Sequence, residues 1–333
     1  VISGTGSVTK EGVGALTFKA QNLYSGGTWV NAGTLIVNDP GGLNGSGALV
    51  GTLNVNANGT VQLTGAATAL GWGTSNKITT LNINGGVVEV PAASPYQHLW
   101  DITVNFSEGG TLKTNGGSSS TSSTSYWEWG GVTINVTNPT AEAVIAGRIN
   151  LRADTALIGN TIYTVADGSI ANELLVSAAM GSSGASLTKS GSGALTLSGT
   201  NSYTGVTTIS GGTLSVGTLA NGGSNSNIGA SSNAASNLVI NGGTLKYTGG
   251  VVTTDRLFTV GANGATIDSS GTGALTFGNA GSLATTAASS PALTLTGSAN
   301  GTLTAVFANP TTSGTASITK SGTGTWTLSG ANT

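Results

Sequence analysis

A short turn-and-strand phrase recurs along the chain, and it constrains the fold more than any other feature of the sequence. Glycine, often preceded by Asn or a second Gly, is followed by a short run in which apolar and small polar residues alternate. The phrase reads AGTLIV at 32–37, NGTVQL at 58–63 and GGVVEV at 85–90. Alternation with period two is typical of a β-strand with one buried face, and glycine suits the tight turns between strands. The sequence therefore predicts a repetitive all-β fold with almost no helix.

The spacing of this phrase favours a solenoid over other repetitive all-β folds. The glycines that precede the strand, Gly33, Gly59, Gly86, Gly110 and Gly131, are 26, 27, 24 and 21 residues apart. Propeller blades need about 40 to 50 residues each, so a shorter period fits one solenoid coil per repeat. Neighbouring Asn residues at 58, 84 and 241 are expected to adopt left-handed turn conformations and, where corners stack, to form ladders. We predict a parallel β-helix (β-solenoid) of roughly 13 coils, continuous over residues 1–333.

The composition excludes several other classes of protein. The chain is 38% hydrophobic and 7% charged with a net charge of -2, unlike disordered chains, which combine low hydrophobicity with high net charge. Its ten Lys and Arg residues are scattered singly, so we expect no nucleic-acid partner. Without cysteine there are no disulfides and no thiolate metal sites. No apolar run approaches the roughly 20 residues that span a bilayer, so we expect no transmembrane segment in this piece.

Three copies of a longer phrase stand out against this background. The second copy reads KSGSGALTLSGTNSYTGVTTISGGTLSV from Lys189 onward, the first begins at Lys10 with the same spacing, and the third begins at Lys320. The shared positions are Lys10, Gly12, Gly14, Asn22, Tyr24 and Gly26 in the first copy, Lys189, Gly191, Gly193, Asn201, Tyr203 and Gly205 in the second, and Lys320, Gly322, Gly324 and Asn332 in the third.

This phrase resembles the autotransporter-associated β-strand repeat, also called the passenger-associated transport repeat, with copies at 7–37, 186–216 and 317–333. The first copy departs from the pattern at Lys19 and Ala20, where Ser-Gly is usual. The resemblance implies a right-handed parallel β-helix that is secreted to the cell surface or beyond, and that is outer-membrane-associated in the full-length protein. It implies neither catalytic residues nor a cofactor. We expect this chain to be a segment of a longer bacterial passenger.

Two aromatic segments interrupt the repeats. One is SPYQHLWD, and the other is YWEWGG, which follows a Gly/Ser/Thr run at 116–125 that predicts a flexible loop. The two segments lie about one coil apart in sequence, so we expect them to be in contact. Two interpretations stay open: a platform that binds sugar rings or other flat ligands, and an aromatic cluster that covers apolar surface. The candidate ligand-binding residues are Tyr96, His98, Trp100, Tyr126, Trp127 and Trp129.

Catalytic and metal-binding motifs find little support. A Ser-His-Asp triad can be drawn around His98 and Asp101, but serine is so abundant that its presence carries almost no information. The acidic residues are isolated and form no calcium or zinc motif. Arg148 and Arg152 fall on one strand face, where an ion pair with Asp154 is expected. We therefore expect no catalytic, cofactor-binding or metal-binding residues.

The sequence predicts an architectural or adhesive surface protein, a rigid and weakly charged rod. Low charge leaves little electrostatic barrier to lateral association, so self-association into filaments is a further prediction. One alternative is a carbohydrate-binding surface module that uses the aromatic loops to bind surface glycans. Another is a polysaccharide-degrading β-helix enzyme, which would require acidic residues clustered on one solenoid face.

Overall fold

The computed structural model describes residues 1–38, 46–72, 76–115, 125–152, 160–286, 290–310 and 314–332. Within these ranges the chain consists of short strands and turns with a single 3-10 turn at Ala235–Asn237, which confirms the predicted all-β fold. Residues 116–124 of the predicted flexible loop lie outside the described residues. The chain divides into two compact units, Val1–Ser182 and Ser183–Thr333. Each unit is a parallel solenoid, and the predicted continuity over residues 1–333 stays a prediction.

The N-terminal unit is built from strands that mostly alternate buried and partly exposed residues. These strands are β1 (Ser3–Gly4), β2 (Val8–Lys10), β3 (Ala15–Phe18), β4 (Leu23–Tyr24), β5 (Thr28–Val37), β6 (Gly51–Leu63), β7 (Ile78–Asn84), β8 (Val87–Val90), β9 (Gln97–Trp100), β10 (Thr103–Ser107), β11 (Gly110–Thr114), β12 (Trp127–Gly130), β13 (Thr133–Val136), β14 (Ala143–Ala146), β15 (Arg148–Leu151), β16 (Asn160–Val165), β17 (Leu174–Val176) and β18 (Ala179–Gly181).

Parallel pairing sorts these strands into three faces, which the chain visits in order in each coil. Face 1 contains β2, the first part of β5, the first part of β6, β7, β10, β13 and β16. Face 2 contains β3, the second part of β5, the second part of β6, β8, β11, β14 and β17. Face 3 contains the pair β1–β4 and the ladder β9–β12–β15–β18.

The C-terminal unit repeats the three-faced plan. Its strands are β19 (Ser186–Ser190), β20 (Ala194–Leu197), β21 (Thr207–Ile209), β22 (Thr213–Val216), β23 (Leu238–Ile240), β24 (Thr244–Tyr247), β25 (Val252–Thr254), β26 (Thr259–Val260), β27 (Ala265–Ser269), β28 (Leu275–Phe277), β29 (Ala284–Thr285), β30 (Ala292–Thr296), β31 (Gly301–Leu303), β32 (Ser317–Lys320) and β33 (Trp326–Leu328). Face 1 is β19–β21–β23–β26–β29, face 2 is β20–β22–β24–β27–β30–β32, and face 3 is β25–β28–β31–β33.

Face 2 gives the number of coils. Among the described residues it carries seven strand segments in the N-terminal unit and six in the C-terminal unit, thirteen together, which agrees with the predicted number. The inward positions stack apolar side chains in columns: Val55 pairs with Ile83, and Ile83 with Phe106, all 0% exposed. Each such side chain stabilises the fold by about 1.5 to 3 kcal/mol relative to an exposed one.

Two details of the sequence prediction were wrong. Gly131 does not continue the series of turn glycines, because it precedes β13 on face 1, whereas the face 2 partner of Gly110 is Ala143. The expected left-handed conformation lies at Gly85 and Gly242, with φ of 77° and 93°, rather than at the neighbouring asparagines. Glycine adopts this backbone without strain against a Cβ atom, so it takes the position wherever it is available.

Candidate functional site

The two aromatic segments meet on face 3 of the N-terminal unit, which confirms the predicted contact. Strand β9 pairs with β12 so that His98 lies opposite Glu128, and β12 pairs with β15 so that Glu128 lies opposite Asn150. Side chains alternate along each strand, which directs every second residue outward. With the flanking Trp72, the outward residues form what we call the aromatic outer patch, consisting of Trp72, Tyr96, His98, Trp100, Tyr126, Glu128, Arg148 and Arg152.

One column of the aromatic outer patch is a stack of rings ending in a cation. The rings of Tyr96 and Tyr126 are parallel to within 7° with centroids 4.8 Å apart. The guanidinium carbon of Arg148 lies 5.0 Å from the Tyr126 ring centroid. Burial is the main reason that the pKa of Tyr126 is raised, and the charge of Glu128 adds to this effect. The phenol therefore stays a neutral hydrogen-bonding group at physiological pH.

A second column is built around Trp100. Its ring centroid is 4.9 Å from that of Trp72. The guanidinium carbon of Arg152 lies 4.5 Å from the Trp100 ring centroid, although Arg152 is two coils further along the ladder. The imidazole of His98 meets the Trp100 ring edge-on at 4.7 Å. Cation–π and edge-to-face contacts of this kind hold rings in fixed orientations. The patch is thus an ordered surface.

Glu128 is the acidic residue of the aromatic outer patch. Its Oε2 atom lies 2.6 Å from Nδ1 of His98 and 3.7 Å from Nη1 of Arg152. The carboxylate partner of His98 is therefore Glu128 rather than the adjacent Asp101. Asp154, the expected partner of Arg152, lies outside the described residues. Among the described residues no three His, Cys, Asp or Glu side chains are grouped as metal ligands.

The six candidate residues do not share one surface. Tyr96, Trp100 and Tyr126 are partly exposed, and His98 points to the same side. Trp127 and Trp129 instead point into the solenoid interior and are 0% and 1% exposed, so their rings cannot contact a surface ligand. The parity of the YWEWGG strand could have indicated this, because Trp127 and Trp129 share one side and Glu128 the other. Trp72 lies 28 residues before Trp100, about one coil, so the same spacing could have assigned it to the patch.

The repeat lysines have a structural role at the corner between faces 1 and 2. In the first copy, Nζ of Lys10 donates to the carbonyl oxygens of Glu11, Gly12 and Ala32 at 2.7, 2.6 and 2.9 Å. A Cβ atom on Gly33 would collide with the carbonyls of Gly12 and Gly14 and with this ammonium.

The second copy repeats this corner. Nζ of Lys189 donates to Ser190, Gly191 and Gly211 at 2.8, 2.9 and 3.1 Å, and the lysine is 0% exposed. The lysine thus satisfies carbonyl groups in the glycine turn of its own coil and of the next coil.

The Asn, Tyr and Gly positions of the repeat have three different structural roles: the Asn joins adjacent coils, the Tyr bonds locally to a Thr four residues later, and the Gly lets coils approach closely. Nδ2 of Asn22 donates to the carbonyl of Ala48 on the following coil, and Nδ2 of Asn201 donates to Asn227. Tyr24 and Tyr203 are buried, and their hydroxyls lie 2.5 and 2.9 Å from the hydroxyls of Thr28 and Thr207. Gly26 and Gly205 lie against the backbone of the preceding coil, where a Cβ atom would not fit.

The third copy occupies a different pair of faces. In the second copy the lysine strand, β19, is on face 1 and the following strand, β20, on face 2. In the third copy the corresponding strands, β32 and β33, are on faces 2 and 3. Lys320 is exposed and donates to the carbonyl of Gly322 at 2.8 Å, while Oδ1 of Asn332 accepts from the backbone N–H of Phe307.

Arg256 is a buried cation that the sequence analysis did not identify. It is 2% exposed, and its guanidinium donates to carbonyl oxygens of the excursion between β22 and β23. Nε donates to Ala220, Nη1 to Ser231 and Nη2 to Gly229, at 2.8, 3.1 and 2.9 Å. Burial lowers the pKa of this guanidinium. The arginine holds the excursion in one conformation.

Glu89 is also part of a polar cluster rather than isolated. Its carboxylate accepts hydrogen bonds from Gln62 and Asn115 at 2.9 and 3.0 Å, and Nζ of Lys113 lies 3.2 Å away. Burial alone would raise the pKa of this carboxyl, but these three donors together hold it below its usual value. The cluster lies on the outer side of face 2.

Comparison with known proteins identifies the repeats. Residues 8–37, 187–216 and 318–333 match the passenger-associated transport repeat, which confirms the resemblance. A stretch of 41 residues is 61% identical to the adhesin BmaC autotransporter of Brucella suis biovar 1 (strain 1330), covering 12% of this chain and 1% of that protein. No solved structure matches the chain. No helix among the described residues has the length and hydrophobicity to cross a membrane.

Proposed function

We propose that this chain is a non-catalytic, adhesive segment of an extracellular bacterial surface protein, and that its aromatic outer patch binds surface glycans. The passenger-associated transport repeats and the similarity to an autotransporter adhesin support the extracellular, adhesive role. The repeat residues support a scaffold role, since their side chains are used in corners and between coils.

The outward orientation of Tyr96, Trp100 and Tyr126 is the observation on which the glycan proposal rests. Tyr126 and Trp100 each contact a neighbouring ring and an arginine, so these rings offer apolar contact to a sugar through their outward edges. The phenol hydroxyls and the Glu128 carboxylate offer hydrogen bonds to sugar hydroxyls. Cation–π contacts from the two arginines fix the rings, which lowers the entropy lost on binding.

A glycan array probed with the chain and with Trp100→Ala and Tyr126→Ala tests the proposal. Loss of one ring contact worth about 1.4 kcal/mol weakens binding about tenfold. Trp29→Ala is the matched control, because Trp29 is a partly exposed aromatic residue on face 1. The glycan role would be contradicted if the array retained the parent chain and all three variants equally, or if it retained none of them. Release of reducing ends from a polysaccharide panel would instead favour the enzyme alternative.

Self-association into filaments is a second proposal, based on the low charge of a chain with 7% charged residues. Negative-stain electron microscopy over a range of concentrations tests it. Regular filaments are the expected result, and isolated particles at every concentration would contradict it.

A further inference from the structure

Face 1 of the N-terminal unit carries a regular array of threonine and asparagine side chains on its outer side. Four consecutive coils contribute a Thr-x-Asn triplet in the same register. The triplets are Thr52/Asn54, Thr80/Asn82, Thr103/Asn105 and Thr133/Asn135. The residue between each Thr and Asn, which is Leu53, Leu81, Val104 or Ile134, is 0% exposed, so the flanking threonines and asparagines point outward.

The asparagine side chains of this Thr-Asn array are fixed by one another. Nδ2 of Asn82 donates to Oδ1 of Asn54 at 2.8 Å, Asn105 donates to Asn82 at 2.8 Å, and Asn135 donates to Asn105 at 3.0 Å. Asn82, Asn105 and Asn135 are partly exposed, and each of these amides still has a second N–H and an acceptor lone pair for an external partner. Asn54 is 8% exposed and its Nδ2 also donates to the carbonyl of Thr28, so it supports the edge of the array. A parallel row reinforces the edge of the array, in which Asn84 donates to Asn56 and Ser107 donates to Asn84.

The array has two repeat distances. Adjacent coils are about 4.8 Å apart, and positions i and i+2 along a strand are about 6.6 Å apart. Threonine is β-branched and restricted at χ1, so its hydroxyl and methyl groups are also held in place. No charged residue occupies the outward positions of the four triplets or of the adjoining row. The array ends at Trp29 on one side and at Ile162 and Thr164 on the other.

A ligand that matches this surface is extended, flat, uncharged and periodic in two directions with hydrogen-bonding groups. Ice has these properties, because its surface oxygens repeat in two dimensions at distances close to those of the array. The threonine methyl groups suit this ligand, since water orders around small apolar groups, and the absence of charge avoids strongly hydrated sites that would disturb that order. Exposed aromatic rings would favour a polysaccharide ligand, and the positions of the array carry none.

We propose that the Thr-Asn array is an ice-binding surface. It is separate from the aromatic outer patch on face 3, so the glycan proposal and this one can fail independently. Face 1 of the C-terminal unit lacks the array, because Thr208 is followed on the next coil by Val239, which gives an internal control.

Ice-affinity partition tests the proposal: ice is grown slowly in a dilute solution of the chain, and the fraction incorporated is measured. We expect the chain to be incorporated and Thr80→Lys/Thr103→Lys to be excluded like a non-binding protein. The matched control, Thr208→Lys/Thr276→Lys, changes two partly exposed strand residues in the C-terminal unit and is expected to be incorporated like the parent.

Circular dichroism and urea unfolding establish that both lysine pairs fold. If the array pair does not fold, Thr80→Ser/Thr103→Ser removes the methyl groups alone and is expected to reduce incorporation. Exclusion of the unmodified chain from ice, or equal incorporation of all variants, would overturn the proposal. The proposal would also be overturned if the chain were not incorporated into ice but adsorbed to cellulose or chitin powder, or dimerised reversibly, and the array variants abolished that adsorption or dimerisation.

Discussion

Replacing Lys189 by methionine tests whether the repeat lysine is a structural element of the solenoid corner. Methionine keeps most of the apolar stem but removes three hydrogen bonds to carbonyl oxygens. A buried acceptor that loses its partner costs about 1 to 3 kcal/mol, and part of this cost is offset because a charge no longer has to be desolvated. At about 1 kcal/mol per carbonyl, we expect a loss of about 3 kcal/mol in the free energy of unfolding.

Lys320→Met is the matched control within the same motif. Lys320 is exposed and donates to one described carbonyl, so we expect a change within about 0.5 kcal/mol. Solenoids do not always unfold in one step, so urea denaturation followed by circular dichroism is combined with hydrogen exchange at residues 186–216. Lys10→Met reproduces the test in the N-terminal unit. If Lys189→Met and Lys320→Met had the same small effect, the structural role of the lysine would be refuted.

Three further predictions concern other buried polar groups. Tyr203→Phe removes a buried hydroxyl–hydroxyl bond and is expected to lower the free energy of unfolding by about 1 kcal/mol in urea denaturation; no change would contradict this role. Arg256→Met leaves several carbonyls unpaired and is expected to lower the free energy of unfolding by about 3 kcal/mol. It is also expected to increase hydrogen exchange at residues 218–231, and unchanged exchange would refute the role of Arg256 in holding this excursion. The pKa of Glu89 is lowered in the folded state, so its contribution is present above the unfolded pKa of about 4.3 and is lost as pH falls through the folded value. Thermal unfolding of Glu89→Gln between pH 3 and 5 is expected to vary less with pH than that of the parent.

The candidate site could be predicted only in part. The aromatic segments were identifiable because they break the repeat, and their contact followed from a separation of about one coil. Trp72 lies 28 residues before Trp100, so the same separation also indicated its contact, although it was not among the candidate residues. Arg256 could not be identified, because its partners at residues 220–231 are nearby in space and form no sequence motif with it.

The sequence alone determined the fold class and the number of coils. Alternation, turn glycines and a repeat distance in residues are local properties, and each coil is stabilised mainly by its neighbours, so the local pattern is enough to specify a solenoid. The repeat copies were likewise visible, and the residues they share have the same contacts in the first two copies.

Only the tertiary structure decided which face each strand occupies. Gly131 looked like a continuation of the turn series, yet it lies before β13 of face 1. The third repeat lies one face further around the coil than the second. The physical reason is that a strand is assigned to a face by its hydrogen bonds with the adjacent coil, and loops of different length between strands change that assignment without changing the local pattern. The same pairing aligned four Thr-Asn triplets in one array, which no single coil would reveal.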